Sequence, residues 1–69
     1  MNWVLLYKTA IYTEAAILKG KLEDNNIPVQ ILNKQDSMYV LALPGMHEIY
    51  VPGQLKELAL GVLQEVLNN

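Results

Sequence analysis

The chain has 69 residues, of which 52% are hydrophobic and 17% are charged, and its formal net charge is −2. This length fits a single domain, residues 1–69, and the apolar excess argues against intrinsic disorder. Arginine is absent and the five lysines are spread along the chain, so the sequence offers no basic stripe to a nucleic acid.

The first half of the chain predicts a strand and then a helix. Residues 3–8 are aromatic and rich in valine and leucine, as is typical of a strand. Alternation along this strand places three side chains on one face: Trp3, Leu5 and Tyr7. Apolar residues then recur at steps of three and four, which predicts a helix over residues 12–25. Its predicted core stripe is Ile11, Ala15, Leu18 and Leu22.

The first helix is predicted to stop at Asn25 and Asn26, because asparagine tolerates the left-handed conformation that often follows a helix. Residues 27–33 predict the second strand. Pro28 cannot donate a hydrogen bond to a neighbouring strand, so this strand should begin at, or lie on, a sheet edge.

The second half of the chain begins with a connection that the sequence leaves open. Residues 34–37 favour a turn, and the apolar run 38–43 fits either an extra strand or a helical turn. Residues 47–51 alternate as a third strand, and residues 54–67 predict a second helix. The predicted core stripe of that helix is Leu55, Leu58, Ala59, Val62 and Val66.

The order strand, helix, strand, strand, helix predicts an α+β fold. A helix between two strands favours parallel outer strands, and the third strand then fits between them, antiparallel to both. The expected architecture is a two-layer βαββα unit, a truncated ferredoxin-like fold whose three-stranded sheet has two helices on one face.

Several short motifs, in their order and spacing, resemble a family of small bacterial domains called prokaryotic signal-transducing proteins, which has no established activity. The motifs are Glu14-Ala15, Leu22-Glu23, Ile27-Pro28, the run from Glu48 to Pro52, and the run from Asn33 to Ser37 followed by Tyr39, which is similar to a Bacteroidetes-type branch. The resemblance implies a fold like that of small PII-type regulatory proteins, and no catalytic residues. The chain departs from the family at Asn26, where a glycine is usual, and at Gly53-Gln54, where acidic residues are common.

The residues that carry chemistry in enzymes are sparse in this chain. His47 is the only histidine, and its neighbour Glu48 should face the other way on a strand. Ser37 is the only serine, and it follows Asp36 in a turn, as turns often show. Without cysteine, thiolate metal sites are excluded. We therefore expect no enzyme activity, no catalytic residues, no metal site and no cofactor.

The location of the protein can also be anticipated. A small secreted domain would normally be held by disulfides, so the lack of cysteine favours an intracellular protein. The apolar stretch near the first methionine is too short for a secretory signal and follows no basic region. No stretch reaches the ~20 apolar residues of a membrane span. We expect a cytoplasmic bacterial protein without a membrane partner.

Surplus apolar residues are the main indication of function. A two-layer fold leaves one sheet face without helices, and exposed aromatic residues there are typical of a protein interface. The predicted interface residues are Trp3, Leu5, Tyr7, Leu32 and Tyr50 on the sheet, with Leu60, Leu63 and Leu67 on the second helix. Ile17 falls opposite the core stripe of the first helix. The other interpretation is that Leu60 and Leu67 frame a wide core contact and that the middle connection covers Trp3.

The sequence thus favours a regulatory or protein-interaction domain that forms a homo-oligomer with itself. The alternative is a sensor that binds a small ligand through residues 34–46 and the start of the second helix. Its candidate ligand-binding residues are Lys34, Asp36, Ser37 and Tyr39. Gly53 precedes that helix, where free backbone amides favour anions.

Overall fold

A computed structural model describes residues 2–34 and 46–68. The elements are β1 (Trp3–Thr9), α1 (Tyr12–Asp24), β2 (Gln30–Lys34), β3 (Met46–Pro52), a 3-10 turn (Gly53–Leu55) and α2 (Lys56–Leu67). The sheet order is β1-β3-β2, and β3 runs antiparallel to both neighbours. The predicted α+β class and the truncated ferredoxin-like layout are confirmed. The expectation for residues 38–43 lies outside the described residues.

A β-bulge interrupts the pairing of β1 with β3. Leu5 lies opposite Tyr50, but Tyr7 lies opposite Ile49, so β1 has one extra residue between the two pairs. An extra residue moves every later side chain of a strand to the other face. Tyr7 therefore lies on the side of the buried Ile49, which corrects the prediction that it shares a face with Trp3 and Leu5.

Both helices pack against β1 and β3 and enclose one apolar core. Its buried members are Ala15, Leu18, Leu22, Ile27, Ile49, Val51, Ala59, Val62 and Leu63. Of the predicted core stripes, Leu55 and Val66 are partly buried against this core. Ile11 and Leu58 lie outside it, since they are 58% and 55% exposed. Ile11 precedes α1 in extended backbone, with φ −98° and ψ 110°. Leu58 lies about 100° around α2 from the fully buried Ala59, so it points away from the sheet.

The end of α1 is closed by a left-handed residue, as the sequence predicts. Asn26 has φ 61°, and among the residues that the structure describes it is the one non-glycine residue with a positive φ. The Ile27 amide donates to the Leu22 carbonyl (3.0 Å), and the Asn26 amide donates to the Glu23 carbonyl (2.9 Å). This pair of bonds is the Schellman motif, and its usual apolar contact is supplied by the buried Leu22 and Ile27.

Two element boundaries differ from the predictions by more than one residue. The chain enters β2 at Gln30 and not at residue 27, because Ile27 is drawn into the core directly after α1. At the other junction, a 3-10 turn precedes α2, and the Gly53 amide donates to the Asn2 carbonyl (2.6 Å). This bond ties the start of α2 to the start of β1.

Candidate interaction surface

The side of the sheet that faces away from the helices is the main candidate surface, and we call it the open sheet face. It is defined by the register, because residues alternate with the core-facing Ile49 and Val51. Its described members are Trp3, Leu5, Lys8, Gln30, Leu32, Met46, Glu48, Tyr50 and Pro52. Pro52, opposite Trp3, is fully buried. Leu5 is 38% exposed and Leu32 is 46% exposed, so the face carries accessible apolar area.

The open sheet face is organised in rows that cross the three strands. One row joins Leu5, Tyr50 and Gln30, and the next joins Lys8, Glu48 and Leu32. Side chains directly opposite each other on neighbouring strands lie about 4.5–5.5 Å apart at Cβ, so each row forms a continuous strip. The second row therefore holds one base, Lys8, and one acid, Glu48, between the apolar residues Leu5 and Leu32 of the face.

Glu48 and Tyr50 are held together on the central strand. The Tyr50 hydroxyl donates to Glu48 Oε1 at 2.9 Å. This hydrogen bond to the carboxylate, followed by partial burial, raises the pKa of Tyr50, because losing the proton would remove the bond and add a second negative charge. The phenol ring is thereby fixed on the open sheet face.

Tyr7 makes a similar bond on the opposite side of the sheet. Its hydroxyl donates to Oε1 of Glu14 in the first turn of α1, at 3.1 Å. Burial, and then the bond to Glu14, raises the pKa of Tyr7. Tyr7 also packs against the core. It links β1 to α1 and does not belong to the open sheet face, so the bulge removes it from the predicted interface set.

The predicted apolar stripe on α2 divides into two parts. Leu63 is only 7% exposed and belongs to the core, which corrects its assignment to a surface stripe. Leu60 and Leu67 remain partly exposed at the margin of the helix. The alternative interpretation, in which Leu60 and Leu67 frame a wide core contact, is not supported, since both stay partly exposed and neither packs against the core.

A shallow groove runs between the outer sides of α1 and α2. Ile17, Lys21, Glu65 and Val66 line a part of it with a volume of about 280 Å³. The exposure of Ile17 is as the sequence predicts. Val66 belongs to the predicted core stripe of α2. It packs against the core with one part of its side chain and lines the groove with another.

Little of the predicted ligand site can be placed. Lys34 ends β2, while its side chain and Asp36, Ser37 and Tyr39 lie outside the described residues. At the start of α2, a cavity of about 140 Å³ is lined by Asn2, Pro52, Gly53 and Gln54. Ligand pockets usually measure about 300–1,000 Å³. The Gly53 amide already donates to Asn2, so it is occupied by the fold.

His47 lies on the helix side of β3, as the partner of Thr9 in the register. Its ring meets the edge of the Tyr12 ring, with centroids 5.8 Å apart and planes at 65°. Across residues 2–34 and 46–68, no three histidine, aspartate or glutamate side chains come together in a way that would hold a metal ion. Neither described helix is long and apolar enough to cross a membrane.

Comparison of the chain with protein-family models, with curated proteins and with solved structures finds no match.

Proposed function

We propose that this chain is a non-enzymatic regulatory or protein-interaction domain of the bacterial cytoplasm, which binds a second copy of itself through the open sheet face. The observation that carries the proposal is the exposure of Leu5, Leu32 and Met46 on a face that also holds two aromatic residues. Exposed apolar patches on a small domain mark sites of association, and aromatic residues and methionine are enriched in interface cores.

The charges of the open sheet face are compatible with self-association. Among its described side chains, Lys8 is the base and Glu48 is the acid. These two charges are opposite in sign, so each can face the other across a contact between two copies. The register also places Lys34 at the end of this face, beside Met46. A surface with one dominant sign of charge would instead favour a partner of the opposite sign.

The size of the face sets the expected strength of binding. Seven residues of about 3.3 Å each and three strands about 4.8 Å apart give a footprint of about 23 Å by 14 Å, or about 320 Å². Standard interfaces bury about 800 Å² on each partner. We therefore expect a weak, reversible dimer, which has to be measured at protein concentrations from about 10 µM to 1 mM.

Sedimentation equilibrium of the wild type and of Leu5→Lys tests this proposal. Placing an unpaired charge within a buried apolar interface should raise the dimer dissociation constant at least about tenfold. The matched control is Leu58→Lys, which adds the same charge at an exposed leucine on α2, away from the face. Circular dichroism checks folding, and Leu5→Gln replaces the first variant if that one unfolds. A wild type that is monomeric at 1 mM, or a folded face variant that dimerises as well as the control, refutes the proposal.

A further inference from the structure

We infer that the two copies are related by a two-fold axis that runs parallel to the strands, between β1 and β3, so that Lys8 of each copy pairs with Glu48 of the other. The inference rests on the proposed function and adds the orientation of the partner. It also assigns Lys8 and Glu48 as the pair that selects this orientation.

Glu48 needs a further partner once the face is covered. Its carboxylate is half-buried and accepts one hydrogen bond, from the Tyr50 hydroxyl. An ionised carboxylate has two oxygens and about four acceptor sites. A second copy would exclude water from the remaining sites, and a charge without water must be paired with an opposite charge.

Lys8 is the described cation on the open sheet face, and it is exposed. It lies directly opposite Glu48 in the register, on the neighbouring strand. The ion pair found among the described side chains of one copy is a different one, between Lys19 and Glu23 in α1. Among the described side chains, no ion pair joins Lys8 to Glu48 within one copy, so a second copy can offer each of them a partner of opposite charge.

The register then fixes the symmetry. Rotation by 180° about an axis between β1 and β3, parallel to both, places β1 of one copy over β3 of the other without a shift along the strands. Each residue consequently lies over the register partner it has in its own chain. Lys8 meets Glu48 twice, and Leu5 meets Tyr50 twice. This is an isologous contact, as expected for a dimer with two-fold symmetry.

The other in-plane axis does not give this pairing. An axis that runs across the strands stacks β1 on β1 and β3 on β3. At the height of Lys8 and Glu48 it would place like charges over one another, which is unfavourable. The strand-parallel axis also leaves β2 beyond the edge of the partner sheet, so Leu32→Lys should weaken the dimer less than Leu5→Lys.

The test uses two full-length variants that are mixed. Lys8→Glu alone places acid against acid at both contacts, and Glu48→Lys alone places base against base. Each variant by itself should dimerise at least about tenfold more weakly than the wild type. A 1:1 mixture should form a heterodimer with two opposite-charge pairs, and its dissociation constant should return to within about threefold of the wild type. Because the mismatch inside each chain persists in the mixture, recovery reports contacts between copies. The orientation is reported by the homodimers, since the axis across the strands already stacks like charges in the wild type. Single variants that dimerise about as well as the wild type, while the mixture gains affinity, favour that other axis and overturn the inference.

The matched control is a mixture of Lys19→Glu and Glu23→Lys, which changes the net charges by the same amounts on the outer surface of α1. Each control variant and their mixture should dimerise as the wild type does. Preferential heterodimers in the control mixture would mean that net charge alone drives association, and this would overturn the inference.

The remaining outcomes separate the inference from the proposed function. If the wild type is monomeric, both fail together. If Leu5→Lys breaks the dimer but mixing Lys8→Glu with Glu48→Lys recovers nothing, the orientation is wrong and the proposed function stands. Should either variant fail to fold, Lys8→Gln and Glu48→Gln replace them. Their heterodimer regains one of the two pairs and should be tighter than either homodimer, and an equal or weaker heterodimer overturns the inference.

Discussion

Asn26, which follows α1 in the left-handed conformation, allows a direct test of what this backbone conformation costs in stability. Asn26 has φ 61°, where the Cβ of an ordinary L-residue meets the following carbonyl group at a cost of about 1–2 kcal/mol. Asparagine tolerates this region better than alanine, and glycine does so without a steric penalty. We expect Asn26→Ala to lower the free energy of unfolding by about 1 kcal/mol.

For Asn26→Gly, two effects oppose each other. Removing Cβ relieves the left-handed conformation, while the greater freedom of glycine in the unfolded chain offsets part of the gain. The net expectation is a rise of about 0.5 kcal/mol. Both bonds of the motif are made by backbone groups, namely the amides of Ile27 and Asn26, and they persist in either variant. The comparison therefore isolates the cost of the backbone conformation.

Urea unfolding followed by circular dichroism measures both changes. In a domain of 60–100 residues, 1 kcal/mol corresponds to a shift of about 4–8 °C in Tm. The control is Asn25→Ala, since Asn25 has φ −98° and loses only an exposed hydrogen bond from Nδ2 to the Lys21 carbonyl. It should change stability by less than about 0.5 kcal/mol. An Asn26→Ala variant as stable as the wild type, or a glycine variant less stable than the alanine one, would refute the reasoning.

Two further predictions concern the corrected residues. Leu63→Ala should lower the free energy of unfolding by about 2–4 kcal/mol, measured in urea, because it empties a core position. Leu60→Ala, at the helix margin, should lower it by less than about 1 kcal/mol. Equal losses in the two variants would contradict the placement of Leu63 in the core. A double-mutant cycle of Tyr7→Phe with Glu14→Gln should give a coupling of about 0.5–1.5 kcal/mol, and additive losses would contradict the bond. Since folding raises the pKa of Tyr7, its contribution is complete below pH 10 and is lost as the pH rises above that value, so the wild type should lose stability more steeply than Tyr7→Phe in alkali.

Much of the fold is predictable because it rests on local signals. The helix bounds follow from steps of three and four and from Asn26. The strand order follows because a helical crossover makes β1 and β2 parallel, and β3 then fits between them, antiparallel to both. The bulge leaves no comparable signal. Residues 3–7 are apolar on both faces, so one inserted residue breaks no pattern of apolar and polar positions. Only the partner strand reveals that Tyr7 has changed sides.

The assignment of α2 residues failed for a related reason. Leucine or valine stands at most angles around this helix, so several stripes fit the sequence equally well. In the packed structure, Ala59, Val62 and Leu63 are buried and Leu58 is exposed. The candidate surface could be predicted only in part for the same reason. Alternation alone placed Tyr7 on the face of Leu5, and the position of Lys8 opposite Glu48 follows only from the strand register.

The position of β3 between β1 and β2 also has a consequence for how the protein is made. β1 finds its only described neighbour in β3, and their register joins Trp3 to Pro52 and Thr9 to His47. Contacts between residues so far apart in sequence require large loops to close, which slows folding. During synthesis, the first strand leaves the ribosome long before its partner exists. Its leucine-rich edge therefore stays unpaired until β3 emerges, and this interval is when a growing chain is most open to aggregation or to a chaperone.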